Sequence, residues 1–184
     1  MPSIVQGTPD NVNFLGQNGF QLTLLRLPHV VYFTQRTELP SLDIPAAITS
    51  SPFSHLPKPG DRISWAPWTL TFKIDENLKN YYEIYHWIRE IGHPVSLTET
   101  STAVTAPWHL EAKGAARAAA FMTDGTLTIL SSSKNPIASV IFKDMFPTAL
   151  SGLNFELTAE TVNYAEATVT FAYRMYELKP GTSR

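Results

Sequence analysis

The residues best placed to do chemistry are Glu83, His86 and Glu90, in the run Tyr81-Tyr82-Glu83-Ile84-Tyr85-His86-Trp87-Ile88-Arg89-Glu90. A carboxylate and an imidazole three residues apart share one helix face, the spacing with which di-iron bundles present their ligands. Glu90, four residues beyond His86, shares that face. Such a centre needs a second helix of the same kind and further carboxylates, and the sequence offers neither. A trio on a surface helix is the better reading. Asp75 and Glu76 are adjacent carboxylates, as acid–base pairs require, but neighbours at a strand-to-helix junction diverge, and capping accounts for them without catalysis. His29, His55, His86, His93 and His109 are scattered, with no ligand spacing on a common element. Ser131, Ser132 and Ser133 sit in a turn, not in a nucleophile elbow. Gly114-Ala115-Ala116-Arg117 lacks a phosphate-cradling pattern. Trp65, Trp68, Trp87 and Trp108 could stack bases, but no basic groove accompanies them, and a core or interface role is favoured. The sequence therefore predicts no catalytic, cofactor-binding or metal-ligating residue, and no enzyme.

The elements that carry these residues centre on Trp68 to Pro94. Leu70, Phe72 and Ile74 alternate with Thr69, Thr71 and Lys73, the period of a half-buried strand. From Asp75 the period changes: Leu78, Tyr81, Tyr82, Tyr85, Ile88 and Ile91 fall at helical spacings. Asp75 is the expected N-cap, Gly92 the left-handed closing residue, and Pro94 the stop. This predicts one helix that lays a Tyr81/Tyr85/Ile88 stripe on a sheet or across a barrel mouth.

Everything else reads as β or as connection. Residues 1 to about 18 are polar and turn-rich, an expected N-terminal arm. Phe20, Leu22 and Leu24 alternate in a strand ending at Leu27-Pro28, and Val30 to Leu39 reads as its hairpin partner. Leu42 to Ser50 is a short strand interrupted by Pro45. Ser51 to Gly60, with three prolines and a glycine, is an expected exposed corner. Arg62 to Asp75 returns as strand, with a break near Pro67. Val95 to Ala120 is a long loop containing an alanine-rich stretch from Glu111, the kind of segment that is often functional. Thr126 to Ser131 and Ile137 to Lys143 pair across a turn at Ser133 to Pro136, and Asp144 to Ser151 is a connection. A strand with Leu153, Phe155 and Leu157 and a final strand from Ala165 to Leu178 complete the chain.

Seven or eight strands joined by proline and asparagine turns, with one flanking helix, predict a mainly β protein, a β-barrel or sandwich. The 184 residues suit a single domain, and a hydrophobic content of 43% suffices for a core. Zero cysteines exclude disulfides, thiolate metal sites and cysteine nucleophiles together. No signal-peptide pattern or apolar run long enough to span a bilayer is evident, so no membrane anchor is expected. A net charge of −2 gives no electrostatic footprint for gripping nucleic acid.

Several of these segments together resemble a known family. The run Phe20-x-Leu22…Arg26-x-Pro28 is followed by Tyr32-Phe33-x-Gln35 and Leu39-Pro40. Then come Lys58-Pro59-Gly60-Asp61, Thr71-Phe72-x-Ile74-Asp75-Glu76, a helix with Tyr81-Tyr82 and Trp87, and Asp124-Gly-Thr-Leu-Thr-Ile-Leu followed by Asn135-Pro136. From about residue 14 to 178 this order resembles the tail tube proteins of contractile-tailed bacteriophages and the related baseplate tube proteins. The resemblance implies a structural virion protein that assembles into stacked hexameric rings, forming the tail tube through which DNA passes. It further implies itself, tail sheath and baseplate proteins as partners, no cofactor, and assembly in the bacterial host cytoplasm. A tube initiator, a tail terminator or a type VI secretion ring fits the same pattern. The remaining alternative is a carbohydrate-binding sandwich that stacks sugars on Trp65, Trp68 and Trp108. The N-terminal arm, the corner at 51–60 and the 95–120 segment are the expected contacts between subunits.

Overall fold

Trp68, Leu70 and Phe72 alternate with two threonines and a lysine, and they form β7 (Trp68–Lys73) with the apolar set fully buried. The computed structural model, which describes residues 14–17, 19–50, 54–92, 121–156 and 164–181, builds the rest of the core around that strand. Before it come β1 (Phe20–Leu24), α1 (Pro28–Phe33), β2 (Thr34–Thr37), β3 (Leu42–Asp43), β4 (Ala46–Ser50), β5 (His55–Pro59) and β6 (Ser64–Trp65). After it come α2 (Lys79–Gly92), β8 (Thr123–Leu130), β9 (Pro136–Leu150), β10 (Glu166–Ala172) and β11 (Met175–Pro180).

Seven of these strands make one antiparallel sheet in the order β1-β8-β9-β10-β7-β2, with β11 also on β9. β9 is its spine. Phe171 faces Pro147 and Ala172 faces Phe146; after an interruption at Tyr173 and Arg174, Met175 faces Lys143. β10 and β11 are thus one long run along a single side of β9, while β8 holds the other side. The edges β1 and β2 do not pair, so the sheet is sandwich-like and not a closed barrel. The mainly β fold with one long flanking helix agrees with the sequence.

The spine bends at a bulge. Phe142 and Met145 are both buried although three residues apart, so the two-residue alternation slips between them. Asp144 absorbs the slip at φ 53°, and the pairing with β8 shifts opposite it. Asp124 of β8 staples the bulge: its Oδ1 accepts from the Asp144 amide at 3.1 Å and its Oδ2 from Lys143 Nζ at 2.7 Å. Arg174 clamps the other side, its Nε 2.9 Å from Asp144 Oδ2. Gly125 follows because a Cβ there would come within 2.6 Å of both Leu24 Cδ2 and Met145 Sδ. Behind the bulge Trp68 stacks on Phe142, with centroids 4.2 Å apart and planes 13° apart. Such a pair adds about 0.5–1.5 kcal/mol beyond its buried area.

β3 to β6 form a separate hairpin arm. Leu42 pairs with Trp65 at the root, and Ala46 to Ser50 pair with Pro59 to His55 farther out. Gly60 makes the crossing possible, since a Cβ there would lie 2.1 Å from the Pro45 carbonyl oxygen. Tyr173 Oη donates to the Ala66 carbonyl at 2.6 Å, Tyr176 Oη to the Pro40 carbonyl at 3.4 Å, and both rings pack on Trp65.

Several expectations are corrected. Pro28 to Phe33 is helix, not strand: Pro28 suits the first helical turn, Leu27 and Val30 turn into the core, and Thr34 Oγ1 donates to the Val30 carbonyl. β1 and β2 are therefore no hairpin; they lie at opposite edges of the sheet. The proline-rich corner contains β5. Pro57 and Pro59, two apart, turn their missing N–H groups to one side of the strand, the side a two-stranded ribbon leaves unpaired. The expected connection from Asp144 continues β9 to Leu150, and the described part of the Leu153 strand, up to Glu156, is irregular.

The long helix is also corrected at both ends and on its face. It starts at Lys79 after a turn in which the Asp75 carbonyl accepts from the Leu78 amide, with Leu78 at φ 57°. Asn80, wholly buried, does the stitching expected of Asp75. Its Oδ1 accepts from the amides of Tyr81 (2.8 Å) and Asp75 (3.3 Å), and its Nδ2 donates to the Lys73 carbonyl at 2.7 Å. Gly92 is the last helical residue and not left-handed. Asn80, Ile84, Trp87 and Glu90 face inward, while Tyr82 and Tyr85 are exposed. Of the expected Tyr81/Tyr85/Ile88 stripe, Tyr81 and Ile88 pack against the core from partly buried positions, whereas Tyr85 is exposed, so the stripe flanks the buried face instead of forming its centre. The N-terminal arm except 14–17, residues 51–53 of the corner and the 95–120 segment lie outside the described residues.

Candidate assembly interface

Two surfaces carry the unusual features of this fold: the hairpin arm, and a cleft where α1 and the turn before it meet α2. The cleft encloses about 390 Å³ between Leu25, Arg26 and Pro28 on one wall and Tyr82, Glu83, His86, Trp87 and Glu90 on the other. Arg26 crosses its floor. Its guanidinium pairs with Glu90 Oε2 and lies 4.6 Å above the Trp87 ring. Both side chains of that pair are nearly buried, at 10% and 5% exposure. Burial pulls the Arg26 guanidinium below its ordinary value, and Glu90 offsets part of that pull. Arginine remains charged regardless.

Around this pair the trio noted in the sequence is assembled differently from a metal site. His86 Nδ1 lies 2.9 Å from Glu90 Oε1, and His29 Nδ1, from α1, contacts Glu83 Oε1. Glu83 Oε2 is buried without a hydrogen-bond partner, and Glu90 Oε1 meets His86 Nδ1 without hydrogen-bonding geometry. Among the described residues no group of three or more His, Asp or Glu side chains converges as metal ligands. Arg26 and His29 were invisible to helical spacing, because they come from another element.

The other candidate residues stay apart. His55 is exposed on the arm, and Ser131 accepts from the Asn135 amide within the 131–135 turn. Trp68 and Trp87 are core. Trp68 is therefore unavailable to stack a sugar, which removes one wall of the carbohydrate alternative. His93, Trp108, His109 and the 114–117 run lie outside the described residues.

The arm is the other surface. Its β4 and β5 pack mainly on each other, yet they display Ile48 (70% exposed) and Leu56 (52% exposed), with Ile44 exposed just before β4. Among the described residues the sheet edges β1 and β2 have no outer partner strand, and Arg36 and Thr37 of β2, with Glu38 just after it, form a small polar pocket with Thr69 and Thr71. Edges of this kind are templates for pairing with another chain.

Comparison with solved structures places this architecture. It superposes on the tube terminating cap of the anti-feeding prophage with a TM-score of 0.63 at 13% identity, covering 97% of this chain and 99% of that one. It superposes on a chain of the sheath/tube terminator of the PVC extracellular contractile injection system at 0.59 and 11% identity, covering 92% and 99%. A chain of the PVC sheath-tube complex gives 0.54 at 11% identity, covering 91% and 93%. No family model matches, and no curated protein matches in sequence. The fold is that of the tube proteins of contractile injection systems, as the sequence resemblance implied.

Proposed function

We propose that this chain is a structural subunit of the tube of a contractile injection machine, working by association with copies of itself and with sheath or baseplate partners, without catalysis. The observation that carries this reading is the hairpin arm: an exposed ribbon with isoleucine and leucine on its surface, attached to a sheet with two edges open among the described residues. Apolar surface displayed this way marks a contact that the lone chain leaves unmade. In this reading, edges join neighbours within a ring, hexameric by the family resemblance, and the arm seals one ring on the next. The chain acts as one tube-forming unit, and the cargo route is the lumen. A net charge of −2 favours passage of DNA over retention, because a basic lumen would trap phosphates through counterion release.

Within the tube class the cap position is favoured. Two terminator or cap structures align over 99% of their own length, with higher TM-scores than the sheath-tube chain. Electron microscopy of the purified protein tests both levels. Rings are expected, with a cap giving discs that do not polymerise and a repeating subunit giving long tubes. The double variant Ile48→Lys, Leu56→Lys should leave a folded protein that no longer stacks. A protein that stays monomeric at high concentration overturns the reading.

A further inference from the structure

The two long edges of the arm are not alike, and neither are the two edges of the sheet. Ile48 lies opposite Pro57 and Ala46 opposite Pro59. A proline has no N–H to give its partner, so these are non-hydrogen-bonded pairs, whose members turn their backbone groups outward. The β5 edge is therefore short of two donors and has Lys58 between them, features that block further pairing. The β4 edge presents the amides and carbonyls of Ala46 and Ile48 from a strand without charge or proline. The sheet repeats the contrast. β2 is four residues long, carries Arg36 and meets β7 through a register shift. β1 is uncharged and pairs regularly with β8. The Leu130 amide donates to the Gly19 carbonyl, so Gln21 and Thr23 bond toward β8 while Phe20, Leu22 and Leu24 turn their backbone groups outward. No strand covers that side among the described residues.

We propose that the two unguarded edges are halves of one joint: β4 of one copy adds to β1 of a second copy as an antiparallel strand, with Ile48 opposite Leu22. Outward groups must meet outward groups, which aligns Ala46 and Ile48 with Leu24 and Leu22. Both strands have five residues, and full overlap selects this register. The faces then agree as well. Ala46 and Ile48 extend the apolar layer that Leu22 and Leu24 begin, while Ala47 lies beside the exposed Thr23 on the polar face. A slip of one residue would turn Ile48 to the wrong face. A free-standing two-stranded ribbon is marginal in water, and this addition makes it a continuation of the neighbour's sheet. The occupant is a copy of this chain because both halves of the joint belong to it. Two different patches meet, so the contact is heterologous and passes from copy to copy, as a ring or tube requires. The proposal rests on the tube reading and narrows it, giving the β1 edge to the arm.

The chain has no cysteine, so introduced pairs report without background. In the proposed register Thr23 and Ala47 face each other as a non-hydrogen-bonded pair, with Cα atoms about 4.5 Å apart and within disulfide reach. The full chain carrying Thr23→Cys and Ala47→Cys, oxidised with copper phenanthroline, should form a ladder of linked subunits on a non-reducing gel. Mixing the two single variants should give a linked dimer. Thr23→Cys with Lys58→Cys, one strand farther away on the same face, should not link. In the first pair, Ile48→Pro removes the outward amide and spares the bonds between β4 and β5, so the ladder should be lost. Ile48→Val should keep it. Electron micrographs of the same samples separate the two levels. Assembly without the Thr23–Ala47 link, equal linking through Lys58, or a ladder that survives Ile48→Pro overturns the joint and leaves the tube reading standing. Absence of any assembly overturns both.

Discussion

Arg26 and Glu90 are 64 positions apart in sequence, yet their ion pair ties the turn after β1 to the last turn of α2. Both are nearly dry, so the pair joins the turn before α1 to α2 through a contact that cannot lose one member cheaply. Arg26→Ala is expected to destabilise the protein by about 3–5 kcal/mol, because Glu90 is left charged and buried. Arg26→Met combined with Glu90→Leu should recover most of that loss, as replacing both members of a buried pair often does. Urea unfolding of the single and double variants measures both quantities.

Asn80 holds the junction of β7 and α2 with three bonds from one buried amide. Asn80→Ala is expected to cost about 2–3 kcal/mol by orphaning the Lys73 carbonyl and two amides. Asp75→Ala, which keeps the backbone bonds, should change stability by less than about 0.5 kcal/mol. The same unfolding assay separates them.

Asp124 makes stability depend on acid. Burial pushes its carboxyl up, but the hydrogen bonds from Lys143 and the Asp144 amide, with the charges of Lys143 and Arg174, outweigh this and leave it below its ordinary value of 3.8. Its contribution is complete above that value and is lost as pH falls through the lower folded-state value. Asp124→Asn should melt at a lower temperature than the parent at neutrality. The two melting curves should converge in strong acid, as read by circular dichroism.

Tyr173 gives the opposite sign at the alkaline end. Burial, and then the neighbouring Tyr176, push its phenol from 10.0 up to about 12. The neutral form is the one folding favours, so its contribution is present below pH 10 and fades as pH climbs toward 12. Ultraviolet titration should find a late-ionising tyrosine that disappears in Tyr173→Phe.

Strands whose two faces meet different surroundings were legible from sequence. β7, β8 and the first half of β9 alternate because one face is core. The continuation of β9 past Lys143 was hidden by the bulge, which shifts the alternation by one residue and imitates a chain break. α1 was hidden because Val30, Val31 and Phe33 favour strands, and tertiary burial of Leu27 and Val30 overrides that preference. The face shared by Glu83, His86 and Glu90 was legible from helical spacing. Its meaning was not, since the groups that complete it, Arg26 and His29, arrive from a different element. Tyr81 and Ile88 do pack against the core as the periodicity predicted, while Tyr82 and Tyr85 misled because an aromatic ring counts as apolar in a periodicity, whereas its hydroxyl sits comfortably in water.

The two tyrosine hydroxyls that hold Ala66 and Pro40 give the hairpin a hinge-like footing at its root. At about 3.3 Å per residue, the ribbon from Leu42 to Ser50 spans at most about 26 Å, so a tilt of about 5° at its foot moves the far end by up to about 2 Å. Aim is therefore governed at the base. Substitutions beside Trp65 would misdirect a remote tip that they never touch, and the defect would surface as poor fit between molecules while each molecule stayed intact.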